Sequence, residues 1–219
     1  MENSIYVFKV LIFSILWLFC DHLQAQGNAW ELTRQSDNLN VYIRDAYGSD
    51  IKEIKIVTTL SASLHSVVSL LKDVPAYQTW VYKCMEARRL EPSTNTSSLY
   101  YCRLDFPWPM SDRDFIARSR LRQDPGSRIV YIDVKGLPAY RPKEEGLVRI
   151  PELSIHYELQ PLAENKVQMT YRLHSDPGGN IPTWLVNLVV DNGPRNTVQG
   201  MRAKLQESKY RGANLGFLR

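Results

Sequence analysis

The chain has 219 residues, 44% of them hydrophobic and 11% aromatic, and carries a formal charge of +4 at pH 7. That composition excludes a disordered polypeptide. The positive excess is too small and too evenly spread to form a nucleic-acid footprint, but it suits contact with an anionic surface.

The chain opens on an address. Val10 to Cys20 reads VLIFSILWLFC, apolar throughout except for Ser14, and Lys9 precedes it. Eleven residues are too few to cross a bilayer as a helix. The run has the length of a signal-peptide core, and polar residues follow it down to Leu23-Gln24-Ala25. Residues 1–25 therefore predict an export signal cleaved after Ala25, although Glu2 and Leu23 depart from the usual pattern. About 194 residues remain, which suits one domain. Localisation is expected to be periplasmic or otherwise exported.

Next in chain order come two alternating stretches, Leu39-Val41-Ile43 within residues 30–47 and Ile54-Ile56-Thr58 within Ile51–Thr59. Period-two alternation predicts strands. Ser63 is placed to cap a helix carrying Leu64, Val67, Val68 and Leu71 at helical spacing, and Pro75 ends it. Tyr77 to Val81 predicts a short helix or turn. Val81–Leu90 and Leu99–Phe106 flank Pro-Ser-Thr-Asn and predict a hairpin. Phe115, Ala117, Ser119 and Leu121 then share one strand face, opposite Ile116, Arg118, Arg120 and Arg122. The turn Asp124-Pro125-Gly126-Ser127 leads into a strand over Arg128–Lys135. Strands over Ser154–Leu159 and Val167–Leu173 put Tyr157 and Tyr171 among the apolar residues of one face. Ile181 to Leu205 predicts an amphipathic helix bearing Trp184, Leu185 and Leu188, kinked or broken at Gly193-Pro194. Helices beside an antiparallel sheet make an α+β architecture.

Two stretches stand apart from these periodicities. In Phe106-Pro107-Trp108-Pro109-Met110-Ser111-Asp112-Arg113-Asp114-Phe115, two prolines bracket a tryptophan, which excludes a central strand and predicts a stiff loop presenting a large apolar ring. In His174-Ser175-Asp176-Pro177-Gly178-Gly179-Asn180-Ile181-Pro182-Thr183-Trp184, a strand ends in a turn and a helix starts near Pro182. At these residues the sequence resembles the START family, the steroidogenic acute regulatory protein-related lipid-transfer domains. Trp80, Glu86-Ala87-Arg88, Arg141-Pro142 and Val148-Arg149 extend the similarity, which covers roughly residues 28–208 and leaves 209–219 as a tail.

The resemblance implies a helix-grip fold, in which a curved antiparallel sheet wraps a long C-terminal helix around an internal apolar cavity. It implies non-catalytic binding and transfer of a lipid, sterol or other hydrophobic molecule. The loop Pro107–Ser111 and the front of the last helix would form a lid that opens at a membrane. Ligand contacts are then expected from Phe106, Trp108, Met110, Ser119, Tyr157, Tyr171, Trp184, Leu185 and Leu188. Some sterol-binding relatives place a carboxylate and an arginine in the cavity. Glu86 matches the acid, while the arginine position reads Ser119, so that either Ser119 or Arg88 would supply the partner.

Enzymes share related folds, so the alternative is a cyclase- or hydrolase-like activity on a hydrophobic substrate. Against it, no nucleophile motif or metal-ligand spacing is present and the four histidines are scattered, so no catalytic residue, cofactor or metal is expected. His156 is expected to point outward and His174 to lie near the end of its strand. A hairpin turn near residue 95 would set Cys84 and Cys102 two pairs apart, so a disulfide between them would need a bulge. A lipid or sterol-like ligand, transient membrane contact and a monomeric state complete the expectation.

Overall fold

The computed structural model describes residues 29–36 and 38–219. The expected signal, residues 1–25, lies outside the described residues.

The chain begins with a meander of β1 (Glu31–Ser36), β2 (Leu39–Ala46) and β3 (Ser49–Leu60). The single strand signal over residues 30–47 is thus two strands, folded back at Asn38, whose φ is +62°. Tyr47-Gly48 closes the next hairpin, where Gly48 takes φ +73°, a conformation that suits glycine. Helix α1 (Leu64–Lys72) is capped as its sequence predicts, with the Ser66 amide donating to the Ser63 hydroxyl at 3.1 Å. Its buried residues include Leu64, Val67, Val68 and Leu71. A 3-10 segment (Val74–Thr79) follows, with Pro75 in its first turn, where a missing N–H costs least.

Strands β4 (Cys84–Arg89), β5 (Ser97–Leu104), β6 (Arg113–Gln123), β7 (Val130–Gly136), β9 (Glu152–Ala163) and β10 (Lys166–Asp176) complete the sheet, with the two-residue β8 (Val148–Arg149) beside β6. The order is β1-β2-β3-β10-β9-β7-β6-β5-β4; every pairing along it is antiparallel, and β8 joins β6 in parallel. The sheet is curved and open, and its alternating inward residues (Val41, Ile54, Ile56, Leu159, Val167, Met169) are buried.

The predicted C-terminal helix is two helices, α2 (Thr183–Val189) and α3 (Asn192–Lys204). Pro194 explains the restart. Deep inside a continuous helix its ring would strike the carbonyl four residues back, but in the first turn of α3 it replaces an amide that has no helical partner. Val198 and Met201 of α3, with Leu205 just beyond, sink into the concave face of the sheet. Gly200 lets α3 lie directly on the backbone at Trp80: a Cβ there would stand 2.2 Å from the Trp80 carbonyl oxygen.

Residues 209–219, set aside above as a tail, pack onto α1. Tyr210 in α4 (Ser208–Arg211) is fully buried and donates to Asp73 at 2.8 Å, Lys209 pairs with the same carboxylate, and the Leu215 amide donates to His65. Alternating polar and apolar residues over so short a segment give no periodic signal for this docking.

Candidate functional site

Beneath α3 the sheet encloses a cavity of about 90 Å³. β5, β6, β7, β9 and β10 supply most of its wall, and the segment after α1 supplies Tyr77 and Trp80. The wall is strongly aromatic. Tyr77 meets Trp80 and Tyr100 edge to face at centroid distances of 5.3 and 5.6 Å, Tyr100 meets Phe115 at 6.1 Å, and Tyr157 stacks on Tyr171 at 4.9 Å.

Three expected ligand residues, Ser119, Tyr157 and Tyr171, line this cavity. Their strands alternate regularly, so the apolar face predicted from sequence is the concave face. The Ser119 hydroxyl donates to the Ser98 carbonyl at 3.4 Å.

Glu86 and Arg88 do not line it. Between Cys84 and Glu86 the β4–β5 register shifts, pairing Cys84 with Leu104, Glu86 with Arg103 and Ala87 with Cys102. This bulge at Met85 turns Cys84 and Ala87 inward and sends Glu86 and Arg88 to the convex surface. There they pair with each other at 2.8 Å, and Arg88 stacks over Tyr101 and reaches Glu144. Neither residue replaces the missing cavity arginine. The bulge also brings Cys84 and Cys102 onto neighbouring inward positions, where both are buried free thiols.

The remaining expected residues lie outside the enclosed space. Trp108 is 93% exposed, Trp184 69% and Leu188 71%. Met110 and Leu185 are partly buried, and Phe106 lies under the Arg113 guanidinium, 4.3 Å from its centroid. These residues belong to one end of the molecule, tied together by named contacts. Arg113 donates to the Ser111 carbonyl in the loop and to the Pro177 and Gly178 carbonyls ahead of α2. Asn187 of α2 bonds to Lys52 and Asp50 at the β2–β3 hairpin, whose tip carries the fully exposed Tyr47. α2 itself contributes no buried residue. Asp114, next to Arg113, serves the fold: its carboxylate holds Arg149 at 2.8 and 2.9 Å, both groups being almost wholly buried.

Sequence reasoning missed Tyr77, Trp80, Tyr100, Cys102 and Phe115 as cavity-lining residues. Phe115, Tyr100 and Cys102 were within reach of strand alternation. Tyr77 and Trp80 were not, because a 3-10 segment has no two-residue period to read.

The wall's electrostatics are those of neutral polar groups. Burial, reinforced by neighbouring phenols, pushes the Tyr100 and Tyr157 hydroxyls well above the ordinary phenol range, and burial alone raises Tyr171. Burial likewise lifts the Cys102 thiol. Such groups stay protonated at neutral pH and serve as hydrogen-bond donors and acceptors. Tyr77 donates to the Leu71 carbonyl at 2.6 Å, while the Trp80 indole Nε1 is buried with no partner. His156 and His174 stand on the convex face, beside Asp133 and Glu152.

Comparison with known proteins agrees with this geometry. The START domain family model matches residues 15–211. A Pseudomonas aeruginosa protein is 30% identical over 83% of this chain and 91% of its own length. Rat phosphatidylcholine transfer protein is 24% identical over 83% of this chain and 87% of its own. A fragment of the STAR-related lipid transfer protein of Xanthomonas axonopodis superposes with a TM-score of 0.76 at 30% identity, covering 82% of this chain and all of the fragment. Human STARD10 shares the fold, with a TM-score of 0.72 at 19% identity over 86% of this chain and 79% of its own. An open antiparallel sheet gripping a C-terminal helix over an aromatic cavity, matched along nearly the whole chain, places this protein in the START domain family.

Proposed function

We propose that this protein is a non-catalytic carrier that binds one hydrophobic molecule in its internal cavity and transfers it between membranes. The observation that carries the reading is the cavity wall itself, aromatic and aliphatic with scattered hydroxyls and no residue charged at neutral pH. Such a wall binds by removing apolar surface from water, at about 25 cal/mol per Å². Its hydroxyls orient a ligand. General acid–base chemistry near pH 7 would call for a histidine or carboxylate facing the ligand. The lipid-transfer relatives named above support the same reading.

The enclosed space is far below the roughly 300–1,000 Å³ of typical small-molecule sites. Loading in this proposal therefore moves part of the wall outward. α2 and the Pro107–Ser111 loop are the parts that move in this proposal, because α2 has no fully buried residue and is fastened by a few hydrogen bonds. Trp108, Trp184, Leu188 and Val189 together make an exposed apolar end, of a kind that marks an interaction surface. In this proposal that end touches the bilayer while the lid is open. Residues 1–25 would direct the chain across the inner membrane, so the traffic would take place in the cell envelope.

The test is native mass spectrometry of protein purified from its own host, followed by solvent extraction and identification of what is released. The expected result is one apolar molecule per chain. A protein that arrives empty and takes up no lipid from vesicles of its host's lipids would refute the carrier reading.

A further inference from the structure

The cavity also restricts which lipid it accepts, an argument that rests on the carrier reading above. Five aromatic side chains with polar atoms line it, Tyr77, Trp80, Tyr100, Tyr157 and Tyr171, and the last four residues are each more than nine-tenths buried. The Trp80 Nε1–H is buried with nothing to donate to. That nitrogen is sealed from the cavity as well as from bulk water, so the polar groups of these side chains that can reach a ligand are the tyrosine hydroxyls.

Two guanidinium groups at the lid end are already committed elsewhere. Arg113 holds the carbonyls of Ser111, Pro177 and Gly178, and Arg149 is clamped by Asp114 and the Pro138 and Arg141 carbonyls. A phosphate carried into this space would find neutral donors but no cation. Burying an ion without a counter-charge is far costlier than burying a hydrogen-bonded neutral group. The aromatic faces would suit a quaternary ammonium taken alone. In a phosphocholine head group, however, the ammonium brings its phosphate with it.

We infer that the cavity selects lipids whose buried polar end is uncharged and hydrogen-bonding, a hydroxyl or ester carbonyl held by Tyr157 and Tyr171, and that it excludes zwitterionic phospholipid. This sets the chain apart from the phosphatidylcholine transfer proteins it resembles in sequence.

The experiment incubates the purified full chain with dioleoylphosphatidylcholine vesicles containing about 10 mol% each of dioleoylglycerol and cholesterol, then reads the bound lipid by native mass spectrometry. The expected result is an adduct of dioleoylglycerol or cholesterol at least about tenfold above the phosphatidylcholine adduct, despite the excess of the latter. Phosphatidylcholine bound equally or preferentially overturns the selectivity and leaves the carrier reading standing. No adduct of any kind overturns both. Tyr157→Phe and Tyr171→Phe, singly and together, keep the ring stack and remove only the hydroxyls. The double variant is expected to lose about tenfold in uptake of the favoured lipid with its melting temperature unchanged. Unchanged uptake by a folded double variant overturns the assignment of these hydroxyls.

Discussion

Gly200→Ala offers a direct test of how the helix is gripped. Alanine is the better helix former by about 1 kcal/mol, so on an exposed helix the change would stabilise. Here the new Cβ would stand 2.2 Å from the Trp80 carbonyl oxygen, 3.0 Å from its carbonyl carbon and 3.2 Å from its Cα. All three are backbone atoms, so no side chain can swing aside. Either α3 or the Trp80 segment must move by about an ångström, which breaks the packing of Val198 and Met201 and disturbs the hydrogen bond that the Tyr82 amide donates to the Thr197 hydroxyl. Overpacking of this kind costs about 1–3 kcal/mol, and a backbone clash belongs at the upper end. Against the propensity gain, the net loss is about 2 kcal/mol. For a chain of this size that lowers the melting temperature by roughly 4–8 °C. Thermal unfolding followed by circular dichroism, with urea titration as a second measure, reads it. A melting temperature equal to or above that of the parent protein would refute direct backbone contact between α3 and Trp80.

Further outcomes follow from the same structure. Asp114→Asn leaves the buried Arg149 guanidinium without its counter-charge and should cost about 3–5 kcal/mol, visible as a large drop in urea midpoint; a drop below about 1 kcal/mol would mean the pair is solvated. At Asp73, burial pushes the carboxyl up, but hydrogen bonds from Lys209 and Tyr210 outweigh it and hold the group below its ordinary value. A depressed carboxylate stabilises the fold above its unfolded-state pKa, about 4, and that contribution is lost as pH falls through the lower folded value. Hydrogen exchange in residues 208–218 should therefore rise below about pH 4, and Asp73→Asn should show that rise already at pH 7. Trp108→Ala and Trp184→Ala remove exposed rings and should leave the melting temperature within about 1 °C, while each weakens vesicle binding about tenfold, as expected if each ring contributes about 1.5 kcal/mol at the bilayer. Unchanged sedimentation with vesicles would argue against membrane contact at this end.

Strand alternation exposed the sheet and its concave face, because most strands run without interruption. Tyr157 and Tyr171 could be placed from it, as could the Ser63 cap and the break near Gly193-Pro194. Glu86 and Arg88 were misplaced because one extra residue, Met85, flips the phase of β4, and a bulge leaves no mark in composition. Ile116 illustrates a different limit. It stands on the convex face among arginines, yet it is buried with Leu99 and Tyr101, a small second core packed against Leu90 and Leu137. Only tertiary contact with residues distant in the chain reveals that cover. The motif residues around Trp108 and Trp184 mark two segments at one end of the molecule, and both rings are exposed there.

Arg113 joins the two segments. Its guanidinium stacks on Phe106, donates to Ser111 on one side and to Pro177 and Gly178 on the other, and thereby joins the two lid segments. Gly178 and Gly179 hold φ of +66° and +73°, so the turn before α2 can fold tightly against Val148 and bring its carbonyls to the guanidinium. If the lid opened piecemeal, these bonds would break one at a time, each to a charged donor and worth about 1.5–3 kcal/mol. If the loop and α2 move as one body, the bonds survive while the Asn187 contacts with β3 are lost. The second route is cheaper, and it leaves Val198, Met201 and Leu205 packed. Arg113→Ala should therefore raise hydrogen exchange in residues 106–112 and 177–189 together while α3 keeps its protection, with uptake from vesicles faster and retention shorter. Increased exchange confined to residues 106–112 would show that the two segments are not coupled through this side chain.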